Sequence, residues 1–356
     1  MHFSYLAFVI DYIIVGQGIA GSMLSWFLLQ AGQKVLVIDD FNPSSASNIA
    51  SGITNPITGR KFVKTWLADD IIPFAESTYQ GFEQLFGESF FHSISIIKLF
   101  DSVKAQNDWS ARCATPEYLP YLRNEEIIYL DKQKVKNDFG GFEINGGSKL
   151  EVSKFLALYR SFLKQKNLLL EEKFLMDELK PEENLVMYKG VTANKIIFCE
   201  GASATQNPYF KFLPFQLAKG ECLILNIEDF YSDKVLNGEV LIMPTTVKNE
   251  YYIGATHQWN FDDDKPSEIG KNELLGNLST VLNAPFKIKD HKAAIRPTVK
   301  DRRPFIGFNP DFPQLGIFNG MGTKGISLAP FFADHFAQHL VNEKPLMREV
   351  SIERVL

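Results

Sequence analysis

Six residues near the start of the chain, Gly16-Gln17-Gly18-Ile19-Ala20-Gly21, have the G-x-G-x-x-G spacing that brings a backbone against a pyrophosphate. The first glycine permits a tight turn, the second lets the main chain approach the phosphates, and the third lets helix and strand pack closely. Free amides at the start of the following helix, together with its dipole, then hold the anion. Asp39 lies about 20 residues further on, where a carboxylate accepts hydrogen bonds from the adenosine ribose hydroxyls. An acid there disfavours a ribose 2′-phosphate, and hence NADP. A glycine turn without a ligand is the plainer alternative. Against it, the strand, the helix, the second strand and the acid are all in place.

Those elements read as follows. Tyr12–Val15 is a continuous apolar run, as expected of a strand buried on both faces. Ala20, Met23, Leu24, Phe27, Leu28 and Ala31 recur at helical spacing, and Gly32 ends the helix. Val35–Ile38 is the second strand, completing a βαβ unit. A turn-rich stretch, 42–60, is longer than a simple connector, and long loops in compact domains are usually functional. Residues 66–145 show no clear period. Val152, Phe155, Leu156, Tyr159, Phe162 and Leu163 form the apolar face of a middle helix, and Lys195–Cys199 reads as a third buried strand closed by Glu200-Gly201-Ala202. Runs at 221–225, 240–243 and 251–254, separated by turn residues, predict an antiparallel sheet. A helix is expected over 272–282, short strands over 304–307 and 315–319, and a last helix from Gly325 to about Leu340.

At 356 residues the default is two domains. A composition 45% apolar and 22% charged is that of a globular protein, and a net charge of −5 leaves no overall electrostatic footprint for nucleic acid. The 30 phenylalanines imply aromatic-lined cores or pockets. Cys113, Cys199 and Cys222 lack metal-like spacing, and an odd number argues against a disulfide framework, which fits a reducing cytoplasm. The apolar opening Tyr5–Ile10 lacks a basic region and leads into the first strand, so it reads as a strand lead-in rather than a signal peptide. No stretch is long enough to span a bilayer.

Beyond the glycine turn, the chain resembles the D-amino-acid-oxidase-type FAD-dependent oxidoreductases. That group includes glycine oxidase, sarcosine oxidase and the oxidase domain of the tRNA methylaminomethyl-uridine modification enzyme. Ser44-Ser45-Ala46-Ser47 through Ala50-Ser51-Gly52-Ile53 is similar to the small-residue loop passing under the pyrophosphate and flavin. Gly146-Gly147 through Val152, Lys219-Gly220-Glu221 and Gly254-Ala255-Thr256 resemble later family segments. Arg296-Pro297 through Asp301, Pro304, Ile306 and Gly307 resembles R-P-x-x-x-D-x-x-P-x-I-G, and Gly320-Met321-Gly322-Thr323-Lys324-Gly325-Ile326 resembles the flavin-contacting helix start. The resemblance implies non-covalent FAD, since no cysteine falls in the C-terminal flavin segments. It places the cofactor against Gly16, Gly18, Ile19, Ala20, Gly21, Asp39, Asp40, Ala46, Ser47, Ser51, Gly52, Ile53, Met176, Gly201, Met321, Gly322, Thr323, Lys324, Gly325 and Ile326. It also implies a Rossmann-like FAD-binding domain with a central parallel sheet over 1–85, 146–205 and 290–356. A substrate domain with a mainly antiparallel sheet would cover 86–145 and 206–289.

Three further residues are candidates for the reaction. Arg296 aligns with the arginine that pairs with a substrate carboxylate, a role suited to a planar guanidinium; a structural arginine holding a carbonyl is the alternative. His257 follows Gly254-Ala255-Thr256, where relatives carry a lysine or a methionine beside the flavin; it supplies positive charge there or is simply packed. Lys324 meets a substrate carboxylate or the flavin, or is a solvated loop lysine. Position 241, where some amino-acid oxidases present a tyrosine over the substrate, is leucine, which counts against small free amino acids. The basic stretch through Arg60, Lys61 and Lys64 either greets an anion or is a solvated rim.

The expected activity is oxidation of a C–N bond in a carboxylate-bearing amine, an amino acid or N-substituted glycine, with hydride passing to flavin and the imine then hydrolysed. The expected partner is thus a small amine. Carboxymethylaminomethyl-uridine in tRNA is the alternative substrate, weakened because the methyltransferase domain fused to that enzyme has no counterpart in these residues. A flavoprotein with purely structural FAD, or an NAD-dependent dehydrogenase, completes the alternatives. No metal site is expected.

Overall fold

The computed structural model describes residues 9–122, 126–230 and 232–356; most of the expected lead-in, Tyr5–Phe8, lies outside them. The chain divides into two compact units, each built from separated stretches: residues 1–50, 152–218 and 295–356, and residues 51–151 and 219–294. The loop 51–60 and the stretch up to residue 85 thus group with the second unit.

In the first unit the opening strand Ile10–Val15 and second strand Val35–Ile38 run parallel, with Tyr12 opposite Val35 and Val15 opposite Ile38. Strand Val191–Phe198 lies parallel on the other side, pairing Ile13 with Ile196. Beyond it, Leu315–Asn319 adds in parallel and Phe305–Phe308 antiparallel. Leu169–Leu170 flanks Val35–Ile38, and an antiparallel pair, Leu179–Pro181 and Val186–Tyr188, completes the eight strands among the described residues. The central strands are buried on both faces, which is why they read as unbroken apolar runs. The first helix, Ile19–Gln30, the middle helix, Val152–Gln165, and the C-terminal helix, Gly325–Asn342, pack in this unit. Its core gathers Ile13, Val15, Ile38, Ile196, Phe198, Phe305 and Ile317.

The second unit is built on a seven-stranded sheet ordered Phe286–Arg296, Ala218–Ile227, Glu250–Gly254, Leu241–Pro244, Val235–Asn237, Ile96–Leu99 and Gly141–Ile144. Antiparallel pairs dominate, and the Val235–Asn237 pairing with Ile96–Leu99 is parallel. The fold is therefore mixed, with a largely parallel sheet and a mainly antiparallel one. The stretch without a clear period holds two helices, Ala68–Phe86 and Val103–Cys113. The helix expected over 272–282 instead runs Glu268–Ser279, because Ser267 caps it by accepting a hydrogen bond from the Gly270 amide at 3.0 Å. Among the described residues no helix is long and apolar enough to cross a membrane, and no acidic, histidine or cysteine cluster has the makings of a metal site.

Candidate functional site

The nucleotide turn in the first unit is built by exclusion of side chains. Gly16 has φ +98° and its amide donates to the Ile38 carbonyl at 2.9 Å, closing the turn against the second strand. A Cβ at Gly16 would stand 2.6 Å from the Cys199 carbonyl oxygen, and one at Gly21 would stand 1.9 Å from that of Gly16. Gly18 caps the first helix, whose first turn carries no acidic residue. Ser47, in the short helix Ala46–Ile49, faces this start: its Oγ accepts from the Ile19 amide at 3.1 Å and lies 3.1 Å from where a Gly18 Cβ would be. Closely approachable backbone at the glycines, no acid in the helix's first turn and the Ser47 hydroxyl beside it together fit a pyrophosphate.

Asp39 ends the second strand. Its Oδ2 accepts the Gln17 amide at 2.8 Å and its Oδ1 the Phe41 amide at 2.9 Å, so the acid is held against the turn it was expected to complement. Asp40 points into solvent. Two residues the sequence reading did not single out join here. Gln17 is buried, its Nε2 donating to Ser22 Oγ and the Leu156 carbonyl. Arg160, from the middle helix, is buried and donates through Nη1 to Asp39 Oδ1 at 2.6 Å. An arginine one residue beyond Tyr159, beside the apolar stripe of its helix, is the one hint the sequence holds.

In the same unit, Gly320 has φ +79° and Gly322 φ +56°. The Gly322 amide donates to the Pro297 carbonyl at 3.1 Å, and a Cβ at 322 would meet Thr298 Cγ2 at 3.2 Å. The Arg296–Thr298 segment and the turn into the C-terminal helix are therefore one packed feature. Asn319 ties that turn to Gly201, its Nδ2 donating to the Gly201 carbonyl at 2.9 Å while its Oδ1 accepts the Gly320 amide. A Cβ at Gly325 would lie 3.1 Å from Ile19 Cγ2, so the C-terminal helix starts beside the start of the first. Met321 and Ile326 are buried, Thr323 is exposed, and Met176 packs at the edge of the core. Lys324 is the N-cap of the 18-residue C-terminal helix. Burial, then the neighbouring charges of Arg302 and Arg303, push its ammonium down to about 8. Arg296 is half-buried at the end of its strand. Behind the nucleotide turn, burial raises the Glu200 carboxyl to about 6, opposed by a 2.8 Å hydrogen bond from Asn207 Nδ2.

In the second unit Gly52 is buried, with φ +76° and its carbonyl accepting the Leu150 amide at 2.9 Å; Ser51 and Ile53 are half-buried beside it. His257 is exposed, its ring edge-on to Trp259 with centroids 4.5 Å apart. Leu241 opens its strand and pairs with Gly254. Arg60 pairs with Glu239 at 3.1 Å and Lys64 with Asp69 at 2.5 Å, both carboxylates well exposed, so part of this basic rim is already matched by surface acids. Cys113, Cys199 and Cys222 are buried free thiols.

Residues 11–339 match the family described as FAD dependent oxidoreductase. The glycine oxidase of Bacillus licheniformis is 22% identical, over 93% of this chain and 93% of its own. The tRNA 5-methylaminomethyl-2-thiouridine biosynthesis bifunctional protein of Marinobacter nauticus is 22% identical over 96% of this chain and 57% of its own. Among solved structures, a glycine oxidase from Bacillus cereus superposes with a TM-score of 0.79 at 16% identity, covering 94% of this chain and 96% of that one.

Proposed function

The chain belongs to the FAD-dependent oxidoreductase family, and on that premise we propose that it oxidises the C–N bond of a carboxylate-bearing amine, an amino acid or N-substituted glycine. The observation that carries this reading is the packing of Arg296–Thr298 against the Gly320–Gly322 turn, which puts a guanidinium-bearing residue and Lys324 on adjoining segments. The ADP half of non-covalent FAD would lie on the Gly16–Gly21 amides, with Asp39 on its adenosine ribose and Ser47 beside the helix start. The flavin end would lie towards Gly201 and the 320–326 turn. Bound FAD supplies the acceptor for a hydride leaving the carbon next to the amine nitrogen, after which water hydrolyses the imine.

The chain's own residues do the rest. Arg296 pairs with the substrate carboxylate and so orients the carbon to be oxidised. Lys324 adds positive charge at a helix N-terminus, lowering the energy of negative charge gathered there. Glycine oxidase relatives support the carboxylate, while the leucine at 241, where some amino-acid oxidases present a tyrosine, counts against small free amino acids.

The test is anaerobic bleaching of the flavin absorbance across amino acids, N-substituted glycines, their decarboxylated amines and modified tRNA. Bleaching by carboxylate-bearing amines is expected, with Arg296→Ala weakening apparent affinity for these about tenfold or more and leaving the decarboxylated amines unchanged. Flavin that no amine bleaches would point to structural FAD. Bleaching by modified tRNA alone would favour the tRNA reading. An unchanged affinity in Arg296→Ala would remove that residue from the site.

A further inference from the structure

Arg160 is 8% exposed and uses every N–H it has. Nη1 donates to Asp39 Oδ1 at 2.6 Å and to Gln17 Oε1 at 3.0 Å. Nη2 donates to the Asp39 carbonyl at 3.0 Å and to Glu171 Oε1 at 3.2 Å, and Nε donates to the same Glu171 oxygen at 3.3 Å. The Phe41 ring covers the guanidinium, 5.5 Å from ring centroid to Cζ. Glu171 is itself paired with Lys164 at 2.8 Å. The clasp joins three parts of the unit: the glycine turn through Gln17, the end of the second strand through Asp39, and the middle helix. Asp39 Oδ1 takes both the Phe41 amide and the guanidinium, whereas the hydrogen bond seen at Oδ2 is from the Gln17 amide. A carboxylate has about four lone-pair sites, so Oδ2 keeps capacity for a further donor.

We propose that Arg160 is a positioning residue for FAD: by clamping Asp39 and Gln17 together, it aims the Asp39 carboxylate at the adenosine ribose in register with the pyrophosphate turn. Five fixed donors on a planar group suit this, and a lysine in its place satisfies at most three. The proposal rests on assigning Asp39 and the glycine turn to the ADP half of FAD.

The test measures equilibrium dissociation constants of the apoprotein for FAD and for FMN, which lacks the AMP half, with thermal midpoints of each apoprotein alongside. The variants are R160K, R160Q and D39N. The expected result is that R160K and R160Q weaken FAD about tenfold or more, the increment of one charge-assisted hydrogen bond, while FMN affinity stays at the wild-type value. Should R160Q fail to fold, R160K, which keeps the charge, decides alone. An R160K protein that binds FAD as wild type does, while D39N is impaired, overturns the role of Arg160 and leaves the site assignment standing. Equal losses for FAD and FMN also overturn it, since they signify general loosening of the fold. Wild-type FAD affinity in D39N removes the site assignment and the proposal with it.

Discussion

Replacing Gly21 by alanine tests the nucleotide turn with the least chemical change. Its Cβ would lie 1.9 Å from the Gly16 carbonyl oxygen and 3.3 Å from Cys199 Cβ. Non-bonded heavy atoms in contact stand roughly 3.5 Å apart, so turn and helix must separate by more than about 1 Å. Overpacking of this kind costs about 1–3 kcal/mol. The relief moves the very amides that would face the pyrophosphate. The dissociation constant for FAD should therefore rise about 5- to 150-fold. The assay is titration of apoprotein with FAD, followed by quenching of flavin fluorescence. Gly32→Ala is the control: φ there is +76°, but no atom lies within 4 Å. That variant should lose about 1–2 kcal/mol of stability through the left-handed backbone and keep its FAD affinity. Retained FAD affinity in Gly21→Ala, or equal losses in both variants, would refute the reasoning.

The depressed Lys324 ammonium predicts a pH step. With the group near 8, it is charged at neutrality and loses its proton as pH rises through that value; binding of a simple carboxylate such as acetate should weaken over the same range, and Lys324→Arg should remove the step. Because the folded value lies below the unfolded one, the associated loss of stability is complete below about 8 and recovers towards the unfolded value of 10.5. Glu200 has the opposite sign for an acid: raised from 4.5 to about 6, it makes the fold less stable as pH climbs through that window. Glu200→Gln should accordingly raise stability by about 2 kcal/mol at pH 7.5 and little at pH 4, read from denaturant midpoints. Gly81→Ala, on an exposed turn of the helix Ala68–Phe86 with no atom within 4 Å, should gain about 0.5–1 kcal/mol, seen as a higher thermal midpoint.

The elements read well from sequence are those whose signal is local. The opening βαβ unit shows in a few dozen consecutive residues, because strands buried on both faces cannot alternate and the glycines leave no room for a substitute. The helix Ala68–Phe86 was hidden although Ile71, Ala75, Tyr79 and Phe82 repeat at helical spacing. Pro73 inside it interrupts the local helix pattern, although Asp69 and Asp70 favour a helix start. Of the site, the glycine turn and Asp39 were legible; Gln17 and Arg160 were not. Their roles come from hydrogen bonds to partners distant in sequence, and no spacing rule joins residue 160 to residue 39. The hydrogen bonds from the Ser267 amide and hydroxyl to Glu221 in the second unit are of the same kind. Arg302 and Arg303 were read only as part of a motif, and their effect on Lys324 depends on three-dimensional proximity.

The central strand Val191–Phe198 has a consequence for how the protein is made. On one side Ile196 pairs with Ile13, on the other with Leu315. Synthesis proceeds at about 5–20 residues per second, so the glycine turn leaves the ribosome many seconds before the strand that completes its sheet. During that interval the opening βαβ unit presents unpaired strand edges, the surfaces most prone to mispairing. Closing a sheet across such sequence separations is also slow, on the scale of milliseconds to seconds. A nascent chain stalled before Leu315 therefore carries the glycine turn without a completed sheet beneath it.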